Sequence, residues 1–319
     1  MWQYIARRLL EMIPTALIIT LFIFLLMRIL PGDPLMEALS AAEAEGSLSD
    51  AQVEVLRERF NLDDPLPQQY VQWLGDTLSG DWGRTISGRA KIGDQIAARG
   101  RVTLQLGVLT WATTMIVAIP IGILSALRRN SWLDVGITTG ALAGISTPNF
   151  VVGLLLIVLF AVNLHWLPSR GFVPFTEDPV QWLRHMILPV FTLATSGMAS
   201  VVRQTRSGVL EVMREDYIRT AQAKGLNYSR VLRKHVLKNA LLPIVTIAGL
   251  QVGDLITGSI IIETIFGIPG MGNFTIDAVL STDYNVLQVL VLIFAVATIL
   301  GNLAADIVYT FMDPRIRLR

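Results

Sequence analysis

Six long apolar runs alternate with polar stretches along the chain: Leu9–Leu30, Val102–Leu127, Leu133–Val162, Met186–Val202, Leu241–Phe266 and Val286–Phe311. A bilayer core about 30 Å thick takes about 20 mostly apolar residues in a helix, so each run predicts a transmembrane helix. The fourth run is the shortest and carries Thr192, Thr195, Ser196 and Ser200, which makes it the weakest of the six. Arg7 and Arg8 precede the first run as they would in a secretory leader. However, the run is too long for a leader, contains Glu11 and Arg28, and is followed by Pro31-Gly32-Asp33-Pro34 rather than a small-residue cleavage site. An uncleaved anchor is expected.

Composition supports a lipid environment. Of 319 residues, 52% are hydrophobic and only 16% charged, against roughly 25% charged in average soluble chains. The balance of 26 Lys+Arg and 25 Asp+Glu, net +1, excludes a strongly basic nucleic-acid binder. With no cysteine, disulfides, thiolate metal sites and cysteine nucleophiles are ruled out, and His165, His185 and His235 are too scattered to suggest a metal centre. Cations decide the orientation. Arg7, Arg8, Arg128, Arg129, nine Lys/Arg between Arg203 and Lys238, and Arg315, Arg317 and Arg319 fall on one side if both termini are cytoplasmic, whereas Gly267–Asn285 holds none.

The expected organisation is a tail and first helix over 1–30, an extracytoplasmic segment over 31–101, and a membrane core over 102–319 that includes a cytoplasmic loop at 203–240. In the outer segment the acidic stretch from Glu37 to Glu45 reads as loop. Ser49-x-x-Gln52 resembles a capping box ahead of Val53, Leu56 and Phe60 at helical spacing. Pro65 and Pro67 break that helix; Tyr70, Trp73, Leu74 and Leu78 suggest a second, closed by Gly80-Asp81-Trp82-Gly83. In the inner segment Asp216 is a candidate cap for a short helix terminated at Gly225, and Ser229 for another carrying Arg230, Arg233, Lys234 and Lys238. Tyr217, Ala221 and Gly225 form a stripe one turn apart, with Arg219 on the opposite side. Two readings stay open: a docking knob for another protein, or a basic loop that only obeys the charge rule.

No P-loop, His-Glu-x-x-His, Gly-x-Ser-x-Gly or dinucleotide fingerprint occurs, so uphill transport would draw on an ion gradient or a partner. Polar groups inside the apolar runs are the positive signal, because a central carboxylate costs roughly 2.5–3.5 kcal/mol and should face protein or water. Asp254 lies mid-run, with Gln251 one turn before it; Glu263 and Asp306 lie nearer run ends. Ser146-Thr147-Pro148-Asn149 places a proline break at mid-depth, where transporters often put a pathway. The competing account is helix–helix packing through Gly136-x-x-x-Gly140-x-x-x-Gly144 and Gly249-x-x-x-Gly253.

These residues carry a resemblance. The inner segment resembles the cytoplasmic signature of ABC-importer membrane subunits: Glu-Ala-Ala, three residues, glycine, nine more, a hydrophobic position and Leu-Pro. The matching run here is Arg219-Thr220-Ala221, Gly225, His235 and Leu237-Lys238, without the Glu and without the Pro. Asp216 to Leu226 is similar to the dipeptide/oligopeptide/nickel branch. The similarity continues through Lys238–Pro243, Gly249–Gly253, Glu263-x-x-Phe266-x-x-Pro269-Gly270-x-Gly272 and Asp313-Pro314-Arg315. At the other end Arg7-Arg8-Leu9, Pro31–Pro34, Asp63-x-Pro65, Gln69-Tyr70 and Gly80-Asp81-x-Gly83 resemble the first permease of such systems.

The resemblance implies an all-α, polytopic protein of six transmembrane helices with the type I ABC importer permease fold and an extracytoplasmic helical insertion between helices 1 and 2. It implies residence in a bacterial cytoplasmic membrane. Asp216, Tyr217, Arg219, Thr220, Ala221, Lys224, Gly225 and Leu226 would form the coupling helix seated on an ATPase. Asn149, Ser146, Gln251, Asp254 and Glu263 are translocation-path candidates; Asp63, Tyr70, Asp81, Pro269 and Gly270 are candidate contacts for a solute-binding protein. The implied partners are a second homologous permease, two ATPases carrying ATP and Mg, the binding protein and lipid, with no cofactor or metal on this chain and no nucleic acid. Peptide is the implied cargo, with nickel, glutathione or oligosaccharide as alternatives. A proton-coupled carrier using Asp254, Glu263 and Asp306 is the reading from a different class; an intramembrane enzyme has neither nucleophile motif nor paired histidines to stand on.

Overall fold

The structure, a computed structural model, describes residues 2–29, 64–85, 90–257 and 259–312, excluding the side chains of 2–9, 27–29, 250, 252–257 and 305–312. The capping box at Ser49 with its helix, Pro31–Pro34, Asp63, the side chains of Asp254 and Asp306, and Asp313–Arg315 lie outside that description. The described chain forms two compact units. One comprises Val102–Asn273 and the chain from Ala297 onward; the other comprises Trp2–Arg101 and Phe274–Val296.

In chain order the helices are α1 (Trp2–Ile29), α2 (Leu66–Ser79), α3 (Ile92–Leu127), α4 (Trp132–Ser146), α5 (Asn149–Leu156) and α6 (Pro179–Val212). They continue as α7 (Asp216–Ala223), α8 (228–240), α9 (Leu242–Thr257), α10 (Ile260–Phe266), α11 (Met271–Leu280) and α12 (Tyr284–Met312). Among the described residues α3, α6 and the Tyr284–Ala304 part of α12 are long and apolar enough to cross a bilayer. α4 with residues 149–163 makes a further bent span, and Leu10–Leu26 is a shorter apolar helix.

Two expected spans are broken. The run Leu133–Val162 turns by 109° between Ser146 and Asn149. Thr147 precedes a proline, where the helical region is disfavoured, and both Thr147 (φ −93, ψ 126) and Pro148 (φ −58, ψ 135) are extended. The helix resumes as α5 and widens to π-helical turns over Ile157–Asn163. The run Leu241–Phe266 divides into α9 and α10.

α6 is longer than its apolar run suggests. Asp178 Oδ1 accepts the amides of Val180 and Gln181 at 2.9 and 3.0 Å, and Pro179 occupies the first helical position, so the start is well capped. At 1.5 Å per residue its 34 residues span about 51 Å. Arg203 and Arg206, expected at the start of the inner loop, therefore belong to this helix. Its hydroxyls are satisfied locally: Thr192 Oγ1 donates to Leu188 O at 2.7 Å and Thr195 Oγ1 to Phe191 O at 2.8 Å.

Three core layers stack along α6. Met186, Leu188 and Val190 pack with Leu106, Ile262, Phe266 and Ile268. Ala199, Val201 and Val202 pack with Ala118, Ala141 and Ile244. Val209 packs with Ala126, Ile218, Val231, Val236 and Ala240. Glycines let backbones approach along α6: a Cβ on Gly122 would sit 2.6 Å from Thr205 Cβ, and one on Gly208 would sit 2.8 Å from Ala240 O. The glycine stripe on α4 behaves differently. A Cβ on Gly144 would meet Thr195 and Ala199 at 3.4 Å, but one on Gly136 or Gly140 would meet nothing within 4 Å among the described residues. Among the described residues the packing expected from that stripe is realised only at Gly144.

Within the other unit, α2 leans on α1 through aromatic contacts of Phe24 with Tyr70 (5.5 Å) and Trp73 (5.9 Å). The Arg99 guanidinium lies 4.4 Å above the Phe274 ring and 3.5 Å from Asp277.

Candidate functional site

The short inner helix predicted from Asp216 and Gly225 is α7. Its cap is Glu215 rather than Asp216, and Asp216 takes the first helical position. Gly225 terminates it at φ +77, with its amide on Gln222 O at 2.9 Å and the Leu226 amide on Ala221 O at 3.4 Å. That paired pattern is a Schellman closure, which a residue without Cβ enters at least cost. The following helix is capped by Asn227, whose Oδ1 accepts the Ser229 amide at 3.0 Å, so Ser229 sits inside the first turn. α8 then widens to π-helix over Leu232–Val236.

α7 has two distinct faces. Ile218 and Ala221 are 2% and 7% exposed and pack into the layer with Val209, Val231 and Ala240. Ala221 thus seats the helix on its own bundle instead of facing outward. Tyr217 stays exposed, its hydroxyl accepting from Asn239 Nδ2 at 3.1 Å. Asp216, Arg219, Thr220 and Lys224 are exposed, and Arg219 Nη1 lies 3.3 Å from Asp216 Oδ1. An ion pair this open contributes little to stability. Leu226 is half-buried beneath the closure.

A half-buried ion pair lies close to this knuckle and was not foreseen. Asp134, on the first turn of α4, receives Arg206 Nε at 2.6 Å and Nη2 at 2.8 Å. Ser125 Oγ donates to the same carboxylate at 2.5 Å and the Asn130 amide at 2.9 Å. The ends of α3 and α4 and the body of α6 are therefore tied at one point. Ser131-x-x-Asp134 is a capping-box spacing, with Ser131 Oγ accepting the Asp134 amide at 3.2 Å. That signal was available in the sequence; the arginine, 72 positions later, was not. Arg206 also borders an open groove of about 600 Å³ lined by Arg129, Ser207, Glu211, Arg214 and Asp216.

Two of the path candidates, Asn149 and Gln251, lie against neighbouring residues of α6, Ser196 and Gly197. Ser146 is exposed at the end of α4, and Asn149 begins α5 with its Nδ2 3.4 Å from Ser196 Oγ and its Oδ1 buried without a partner. Gln251 is half-buried, its Nε2 3.4 Å from where a Cβ on Gly197 would stand. Glu263 is fully buried. Its Oε1 accepts Thr103 Oγ1 at 2.8 Å and Ser259 Oγ at 2.7 Å, and its Oε2 accepts the Asn273 amide at 3.0 Å. Thr103 Oγ1 in turn accepts the Met271 amide at 2.8 Å. Glu263 is thus the hub of the turn that follows α10.

That hub also explains the glycines of the motif. A Cβ on Gly270 would overlap the Glu263 carboxylate, and one on Gly272 would stand 2.5 Å from Ile260 Cα. Gly270 is buried and so withdrawn from an outside partner, while Pro269 is exposed at the turn. Of the remaining outer candidates, Tyr70 shares a 2.9 Å hydrogen bond with Thr20 Oγ1, and Asp81 Oδ1 accepts the Gly83 amide at 3.1 Å in an exposed turn. Among the described residues no group of three or more acidic or histidine side chains is placed to hold a metal ion.

Residues 118–318 match the family described as binding-protein-dependent transport system inner membrane component, and residues 1–91 match the N-terminal segment of such membrane components. The chain is 42% identical over 319 residues to the oligopeptide transport system permease protein AppB of Bacillus subtilis, covering 99% of each. It is 40% identical to a putative peptide transport system permease protein of Brucella abortus, again over 99% of each. It is 42% identical to the glutathione transport system permease protein GsiC of Pectobacterium atrosepticum, over 100% of each. Among solved structures it shares the fold of an inward-facing MetNI methionine ABC transporter, with a TM-score of 0.55 at 17% identity, covering 68% of this chain and 96% of that one. An all-α ABC-permease fold, matched end to end by such relatives, makes the chain a member of the binding-protein-dependent transport system inner membrane components, a transport subunit and not an enzyme.

Proposed function

We propose that this chain is the translocation subunit of an ATP-driven importer of peptides in a bacterial inner membrane. It would cross the membrane six times with both ends cytoplasmic and pair with a second, homologous permease. A solute-binding protein delivers cargo from outside, near Pro269 and Asp81, and two ATPase subunits carry the ATP and Mg. The observation that carries the reading is the two-faced knuckle. Ile218 and Ala221 fix α7 rigidly to the membrane bundle while Asp216, Arg219, Thr220 and Lys224 are left outward. A rigid lever with a free polar face suits a helix pushed by another subunit, because seating by packed side chains transmits displacement instead of absorbing it. The peptide permeases among its full-length relatives support the cargo.

The uncovered part of the α4 stripe supports the second permease. Gly136 and Gly140 are exposed, a Cβ on either would meet nothing within 4 Å among the described residues, and small residues four apart suit close approach by another helix.

Reconstitution tests the reading. Vesicles holding this chain, its partner permease and the ATPases, supplied with binding protein, should accumulate labelled oligopeptide only with ATP and regardless of a protonophore. Uptake that ignores ATP and collapses with the proton gradient would contradict it.

A further inference from the structure

α6 turns one polar stripe away from the bundle. Ser200, Arg203, Gln204 and Ser207 recur at three- and four-residue spacing and are exposed, while Val201, Val202, Thr205 and Gly208 between them are buried. The stripe lines an open groove of about 470 Å³ together with Thr138 and Ile145 of α4 and Ile247 of α9.

Two guanidiniums border that groove, one turn apart, and they differ in their partners. Arg206 is held bidentately by Asp134 at 2.6 and 2.8 Å. Arg203 faces the groove, and among the described residues no carboxylate pairs with it. It immediately follows the apolar run Met186–Val202, at the inner end of that run, where a long cationic side chain reaches water or an anionic partner. Among the described residues the groove lining contains hydroxyls and an amide but no acid, so within that lining Arg203 stands without a carboxylate partner. Acids appear only in the adjoining groove, where Glu211, Glu215 and Asp216 lie beyond the shared Arg206 and Ser207. That adjoining groove also holds Arg129 and Arg214 beside Arg206, so its acids face as many arginines, whereas the groove at Arg203 has no acid in its lining.

Resting on the reading as a peptide permease, we propose that Arg203 binds the C-terminal carboxylate of the peptide in transit. The planar fork of arginine fits a carboxylate with two parallel hydrogen bonds. Gln204, Ser200 and Ser207 flank it with donors and acceptors for the neighbouring peptide backbone. The arrangement gives the path a grip on one end of the cargo that is independent of side-chain identity, as a carrier of varied sequences requires.

The test uses the assembled importer with its binding protein in vesicles. One labelled peptide is supplied in two forms, with a free C-terminus and with a C-terminal amide. Arg203→Gln should lower uptake of the free-carboxylate peptide by about tenfold or more, the scale of a lost charge-assisted hydrogen bond, and leave the amide form within about twofold. Arg203→Lys, which keeps the charge without the fork, should fall between. Because the binding protein is the same throughout, its own preference cancels in the ratio of the two forms. Should Arg203→Gln fail to assemble, Gln204→Glu provides the second arm, since an acid beside Arg203 should produce the same selective loss. An unchanged ratio would overturn the assignment while leaving the transport reading intact. An equal fall for both forms that disappears in vesicles lacking anionic lipid would also overturn it, by assigning the groove to a lipid phosphate. A wild-type complex that imports neither form would overturn the peptide reading itself.

Discussion

Arg206 and Asp134 meet through two parallel contacts, Nε to Oδ1 at 2.6 Å and Nη2 to Oδ2 at 2.8 Å, although 72 positions separate them. The carboxylate is 4% exposed and the guanidinium 27%. A half-buried pair of this kind is weak grounds for net stability, but removing the carboxylate strands a partly solvated guanidinium at a cost of about 1–3 kcal/mol. Asp134→Ala is therefore expected to lower the thermal midpoint of the detergent-solubilised protein markedly. Combining it with Arg206→Met should recover much of the loss, because no charge is then stranded. Equal midpoints for Asp134→Ala and the wild type would show that the pair carries no structural weight.

The Glu263 hub makes a second expectation. Gly270→Ala places a methyl group where the carboxylate stands, and overpacking of this kind costs about 1–3 kcal/mol. The turn from Gly267 to Asn273 should become more susceptible to limited proteolysis, while α7 should keep its protection. Pro269→Ala, at an exposed site, should leave the turn as resistant as in the wild type. If Gly270→Ala cleaves no faster than Pro269→Ala, the carboxylate does not organise the turn.

The two faces of α7 separate docking from seating. Ala221→Leu enlarges a side chain in the layer with Val209 and Val231, so it should destabilise the knuckle by about 1–3 kcal/mol. Arg219→Glu, on a side chain 73% exposed, should change stability by less than about 0.5 kcal/mol yet weaken recruitment of the ATPase in a pull-down. A normal pull-down for Arg219→Glu would remove that face from the contact.

What could be read from the sequence depended on how local each signal was. Gly225 ends α7 where expected, because a left-handed terminator is a property of one residue and its neighbours. The caps fell one or two positions away, at Glu215 and Asn227, because several adjacent residues in this segment can serve. Pro148 announced a break but not its 109° angle, which depends on what α4 and α5 pack against. Glu263 in an apolar run looks the same whether it lines a path or ties a turn. Its bond to Thr103, 160 positions away, ties the turn and could not be read from the run itself. The inward turn of Ala221 was hidden for the same reason: small residues suit both a docking surface and a close-packed interior.

The absence of cysteine from all 319 residues permits one direct measurement of the central claim, that α7 is gripped by a nucleotide-hydrolysing subunit. A single cysteine is introduced at Thr220, on the outward face, or at Ala221, on the inward face, and the assembled importer is treated with a short bifunctional crosslinker against a cysteine-bearing ATPase. Thr220→Cys should crosslink to the ATPase, with a yield that changes on ATP binding, and Ala221→Cys should not. An assembled, transport-active complex in which Thr220→Cys never reaches the ATPase would contradict the account.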